Sequence, residues 1–161
     1  IPFGVTNVPL RPMYHMAAFI GNGVPVFDIR KSFGMTDMLV SDSKKGRALA
    51  QALGDKSCVL MRGHGAAVVG PTIQHAVGRS IYLEINARVQ TQAMTLGGGN
   101  VKYLDPQEAQ QMMDAGENFE QHRLHAPAAA ARRVPATQSR AGPRTWKAVA
   151  RIKIMARAAL A

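Results

Sequence analysis

Cysteine is nearly absent from this chain of 161 residues: Cys58 stands alone, so no internal disulfide is available and cohesion falls to a packed core. That usage suits a reducing compartment. Long apolar runs are missing too. Nothing approaches the roughly 18 to 20 uninterrupted residues that a bilayer crossing requires, and the N-terminus lacks the basic-then-apolar pattern of a signal peptide. A cytoplasmic protein is the expectation. Acidic residues vanish towards the end. Residues 1–131 carry 12 Lys or Arg against all 10 acidic side chains, whereas the last 30 residues carry 8 Lys or Arg and no acid. The formal net charge of +10 therefore belongs to a tail and not to the body of the chain. No His-x-His and no His-Glu-x-x-His occurs, which excludes a complete local metal motif, and no repeat of 20 to 50 residues suggests a solenoid.

What remains is an ordinary globular composition, 47% hydrophobic and 19% charged, enough for one domain with a real core. Beyond Ala126 the composition turns to Ala, Arg and Pro. The expected organisation is a domain over 1–126 and a basic tail over 127–161, either disordered or a single helix. Trp146 to Arg157 can be written as a basic helix, a candidate contact for nucleic acid or a membrane surface, but its basic residues form no clean stripe. Within the domain, Ile1 to Gly23 reads as loop, and Val24 to Asp28 as a short strand with Pro25 at its start or at a sheet edge. Ser41 is a candidate cap for a helix that Gly54 stops. Cys58 to Arg62 and Gly65 to Gly70 read as a strand pair. A long helix follows Pro71, with Ile73, Val77, Ile81, Ile85 and Val89 as its apolar face and Ala76 and Leu83 widening it, until Gly97. Asp105 then caps a further helix running from Pro106 towards His122.

The densest signal is Cys58-Val59-Leu60-Met61-Arg62-Gly63-His64-Gly65. A β-branched, apolar run reads as a buried strand, and stopping it at Gly-His-Gly delivers one imidazole to the strand end with little steric cover. Such a histidine serves as a metal ligand or acid-base group, or simply satisfies a backbone carbonyl in a tight turn. A catalytic divalent ion takes about three protein ligands, so His64 alone is not a site. His122 and His125 are spaced to share a helix face but read as solvated, and His75 falls in the first turn of the long helix. His15 lies in an apolar loop just before a strand, where loops often carry function. Arg30 and Arg62 are candidates to hold an anionic substrate or are plain solvated cations.

In order, Pro12-x-x-His15, Gly21-x-Gly-Val-Pro-Val26, the turn at Gly34-Met35-Thr36, a helix, Val59-Leu-Met-Arg-Gly-His-Gly-x-x-x-x-Gly70, and Ala76-Val-x-x-x-x-Tyr-Leu-Glu84 resemble the class II aldolase/adducin family over about Val8 to Leu124. The nearest flavour is the aromatic-acid decarboxylase branch. The resemblance implies an α/β fold, a three-layer α/β/α domain with a mainly antiparallel central sheet, apparently truncated here at its N-terminus, and a homotetramer acting on a small-molecule substrate. It also implies a divalent metal, zinc or manganese, held by three histidines, of which His64 is the one that carries over. In the family that metal stabilises an enolate, which serves both aldol cleavage and decarboxylation. His15 matches a family histidine more weakly. No residue of this sequence matches the family's His-x-His pair, its acidic base or its Gly-Asn and Ser-Ser substrate region. The tyrosine that some aldolases place after the Val-Pro-Val strand is replaced by Ile29 or Arg30. Two functions follow: a metal-dependent carbon–carbon lyase, aldolase or decarboxylase, incomplete in this polypeptide, or a non-catalytic adducin-like interaction module that has lost its metal.

Overall fold

The computed structural model describes residues 1–124, and the side chains of residues 1–115. The basic tail, the domain boundary after Ala126 and His125 lie outside the described residues. Strand β1, Val26–Phe27, pairs in parallel with β2, Cys58–Met61, which pairs antiparallel with β3, Gly65–Val68. The order in the sheet is β1-β2-β3, so β2 is central. A parallel pair needs a crossover. Here the short helix α2, Arg30–Phe33, and helix α3, Ser43–Leu53, supply it. The chain is thus mixed α/β, with one parallel and one antiparallel pairing.

Alternation along β2 divides the interior. Cys58 and Leu60 join Phe3, Leu10, Ala17, Ile20, Val68 and Leu83 in one cluster, while Val59 joins Phe27, Ile29, Leu49 and Ala67 in another. Successive strand residues point to opposite faces, so each cluster takes alternate positions. Helix α3 closes the second cluster through Leu49, and the long helix α4, Ile73–Leu96, reaches the first through Leu83. Cys58 is fully buried, and burial pushes its thiol up to about 12 despite the opposing charge of Arg79. It is a small core hydrophobe, not a nucleophile.

Three details differ from the sequence reading. Helix α3 is capped by Asp42, whose carboxylate accepts from Lys45 N–H at 2.9 Å, with Ser41 one residue further out and bonded only to the Lys45 ammonium. Ile1 to Gly23 is not all loop: helix α1, Pro2–Val5, and a 3-10 helix, His15–Ile20, lie within it. The larger difference is the face of α4. Ile73, Val77 and Ile81 are 65%, 39% and 51% exposed, while Ala76, Ser80, Leu83, Asn86 and Gln90 are buried. The buried stripe steps through those positions at helical spacing and keeps the expected Ala76 and Leu83, but its other three residues are polar; Ile85 and Val89 are half-buried, so a search for large apolar residues selects a face turned partly to solvent.

The strands are shorter than expected, Val26–Phe27 within Val24 to Asp28 and Gly65–Val68 within Gly65 to Gly70, while two local expectations hold. Pro25 directly precedes edge strand β1, and its carbonyl accepts from Leu60 N–H at 2.9 Å. Asp105 begins α5, Pro106–Leu124, by accepting from Gln107 N–H, while the Glu108 carboxylate accepts from Asp105 N–H. That reciprocal pair is a capping box. No helix among the described residues is long and apolar enough to cross a membrane.

Candidate functional site

Parallel pairing brings the C-terminal ends of β1 and β2 to one edge of the sheet, and each strand runs there into a polar residue. β1 leads to Asp28, and β2 leads to Arg62 and then His64. Phe27 O accepts from Arg62 N–H at 3.0 Å, which fixes the register of the two ends. The Asp28 carboxylate then takes both neighbouring guanidinium groups. Arg62 Nε donates to Oδ1 at 2.8 Å, and Arg30 Nη2 donates to Oδ2 at 2.8 Å. Arg30 N–H adds a backbone bond at 3.1 Å. The Arg30 guanidinium above all, and then that of Arg62, holds the Asp28 carboxyl well below the usual carboxylate range, against a partial loss of solvation. Two cations on one carboxylate leave a surplus of one positive charge at this edge.

His64 sits in the tight turn between β2 and β3, where its N–H donates to Met61 O at 3.0 Å. Gly63, at φ +65°, makes the turn in a conformation that L side chains rarely adopt, and a Cβ there would also meet the tip of Met38 at 2.9 Å. The imidazole is half-buried, and no hydrogen bond engages its ring among the described residues.

A second constellation fixes the approach to His15. The amides of Asn86 and Gln90, four apart on α4 and both fully buried, read the backbone of Pro9 to Met13 like the edge of a strand. Gln90 accepts from Arg11 N–H and donates to Pro9 O, while Asn86 accepts from Met13 N–H and donates to Arg11 O, all at 2.8 to 2.9 Å. On the far side Leu104 N–H donates to Pro12 O, and the Arg11 guanidinium lies 4.1 Å over the Tyr103 ring. Buried amides need partners. These find theirs in a loop that joins no strand pairing among the described residues. His15 itself is exposed, its ring edge-on to Tyr14 at 5.9 Å. The Tyr14 hydroxyl is buried without a partner among the described residues, and burial, with Tyr82 second, raises its pKa.

No hydrogen bond or ring contact joins His15 and His64 among the described residues. His75 stands in the first turn of α4, its Nδ1 2.7 Å from Oγ1 of the cap residue Thr72. The side chain of His122 lies outside the described set. Among the described residues no three His, Cys, Asp or Glu side chains cluster as a metal site would require. At the strand ends the donor set is one imidazole and one carboxylate already spent on two arginines, so these residues alone do not fit a divalent ion. A cleft lined by Phe19, Asn22, Ser57, Gln110 and Asp114 lies at the other end of β2 and does not serve this corner. The reading of the sequence gave no role to Asp28, Asn86 or Gln90. Two amides four residues apart inside an apolar helix were the available signal for the latter pair.

Decarboxylase tropJ of Talaromyces stipitatus is 38% identical over 113 residues, covering 63% of this chain and 42% of that protein. The 3,4-dihydroxyphthalate decarboxylase of Rhodococcus jostii is 29% identical over 120 residues, 71% of this chain and 46% of its own length, and that of Arthrobacter keyseri is 29% identical over 97 residues, 60% and 36%. The chain thus spans less than half the length of these curated relatives. The profile of the Class II Aldolase and Adducin N-terminal domain matches residues 5–91, from the first helix through the Gly-His-Gly turn and most of α4, and the chain belongs to that family.

Proposed function

We propose that this chain forms part of a cytoplasmic, homotetrameric carbon–carbon lyase that decarboxylates a small carboxylated substrate, and that His64 is one ligand of its divalent metal, zinc or manganese. The observation that carries the reading is His64 itself: a half-buried imidazole at the end of the central strand, with ring nitrogens that no described residue engages. The printed names of the relatives favour decarboxylation over aldol cleavage. On this reading the complete domain is a three-layer α/β/α structure with a mainly antiparallel sheet, its boundary falls after residue 126, and His15 has a supporting role. The remaining ligands come from outside the residues described.

With one ligand supplied by this corner, metal affinity of the 161-residue chain is expected to collapse. Metal analysis of purified protein should find zinc and manganese well below one equivalent, and His64→Ala should lower whatever remains. Close to one equivalent per chain contradicts the view that this polypeptide lacks the other ligands, and a content indifferent to His64→Ala contradicts the assignment of His64.

A further inference from the structure

The surplus charge at the strand ends has a direction. Arg62 spends only Nε on Asp28, so its two terminal nitrogens, Nη1 and Nη2, make no hydrogen bond among the described residues. Its side chain is 27% exposed against 47% for Arg30, and it is anchored at both ends, by its backbone N–H on Phe27 O and by Nε on Asp28. A guanidinium held by Nε presents its outer edge as two parallel N–H groups, the shape that receives a planar carboxylate in bidentate fashion. Arg30 is the opposite case. Its Nε and Nη2 are both turned onto Asp28, so it neutralises the carboxylate and leaves the positive charge of Arg62 uncompensated.

We infer that Arg62 is a substrate-binding residue that takes a carboxylate of the substrate on its Nη1 and Nη2 edge, with Asp28 as the positioning residue that aims it and Arg30 as the counter-charge that keeps Asp28 from cancelling it. This deepens the reading under Proposed function, since it makes the strand ends a substrate site, but it requires no metal. Arg62 leaves the central strand two residues before His64, so an anion on it is held beside the turn that carries the imidazole.

The test is equilibrium binding of phthalate to the full 161-residue chain by titration calorimetry, without added metal, with inorganic phosphate as a second probe. Saturable phthalate binding is expected, weakened about tenfold or more in Arg62→Met and partly restored in Arg62→Lys, which keeps the charge and loses the fork. His64→Ala is expected to leave phthalate binding in place, so that a failure of the metal assignment is separable from a failure of this one. Arg30→Gln, at a more exposed position, is expected to weaken phthalate several-fold by removing the charge surplus, and it carries the test if Arg62→Met does not give a folded circular-dichroism spectrum. Phthalate binding that is absent from the folded wild type, unchanged in the folded variants, or no tighter than that of phosphate overturns the proposal.

Discussion

Two arginines on one carboxylate make Asp28 the electrostatic pivot of the sheet edge. Each bond is short, yet Arg30 is nearly half exposed, and pairs so placed add little through charge alone because solvent screens them. The contribution of Asp28 lies in joining the ends of two parallel strands. Its folded-state carboxyl titrates below the ordinary value, so its stabilisation is complete above the unfolded pKa of about 3.9 and is lost as the pH falls through the lower folded value. Thermal melts of wild type and Asp28→Asn should therefore differ most near neutrality and converge as the pH drops below about 4. A gap that stays constant down to strongly acid pH would assign the effect to packing.

Helix α4 presents two faces with opposite roles. Its large aliphatic residues Ile73, Val77 and Ile81 meet solvent, while Asn86 and Gln90 are fully buried on the loop. Replacing Asn86 by Leu strands Met13 N–H and Arg11 O, groups that cost about 1–3 kcal/mol each when left without a partner. Denaturant unfolding should show a loss of that order for Asn86→Leu. Ile81→Gln should stay within about 0.5 kcal/mol of wild type, as surface substitutions do. The reverse ranking would restore the aliphatic stripe as the buried face. Gly21 adds a contact of another kind: a Cβ there would lie 2.5 Å from Ala109 Cβ, so its absence lets α5 close on the 3-10 helix that begins at His15.

Across the whole chain, charge is unevenly divided. The last acidic residue is Glu120, within α5, and residues 121–161 carry none. If the boundary lies after residue 126, a chain ending there should unfold at the same denaturant midpoint as the full chain, since no core residue among those described lies beyond Ala109. A lower midpoint would bring the tail into the fold. Much of this organisation is legible in one dimension. Strands β2 and β3, the Gly-His-Gly turn, the Asp105 cap and the end of α4 at Gly97 are set by local preferences that act within a few residues of themselves: β-branched runs, glycine's backbone freedom, side-chain oxygens facing free N–H groups. The same locality made the family recognisable and His64 a candidate. The partnership of Asp28 with Arg62, 34 residues apart, and the hold of Asn86 and Gln90 on a loop more than 70 residues earlier followed no local rule. A polar side chain is buried only when the fold delivers a partner to it, and that partner is chosen by how strands pair and helices dock, which spacing along the chain does not encode.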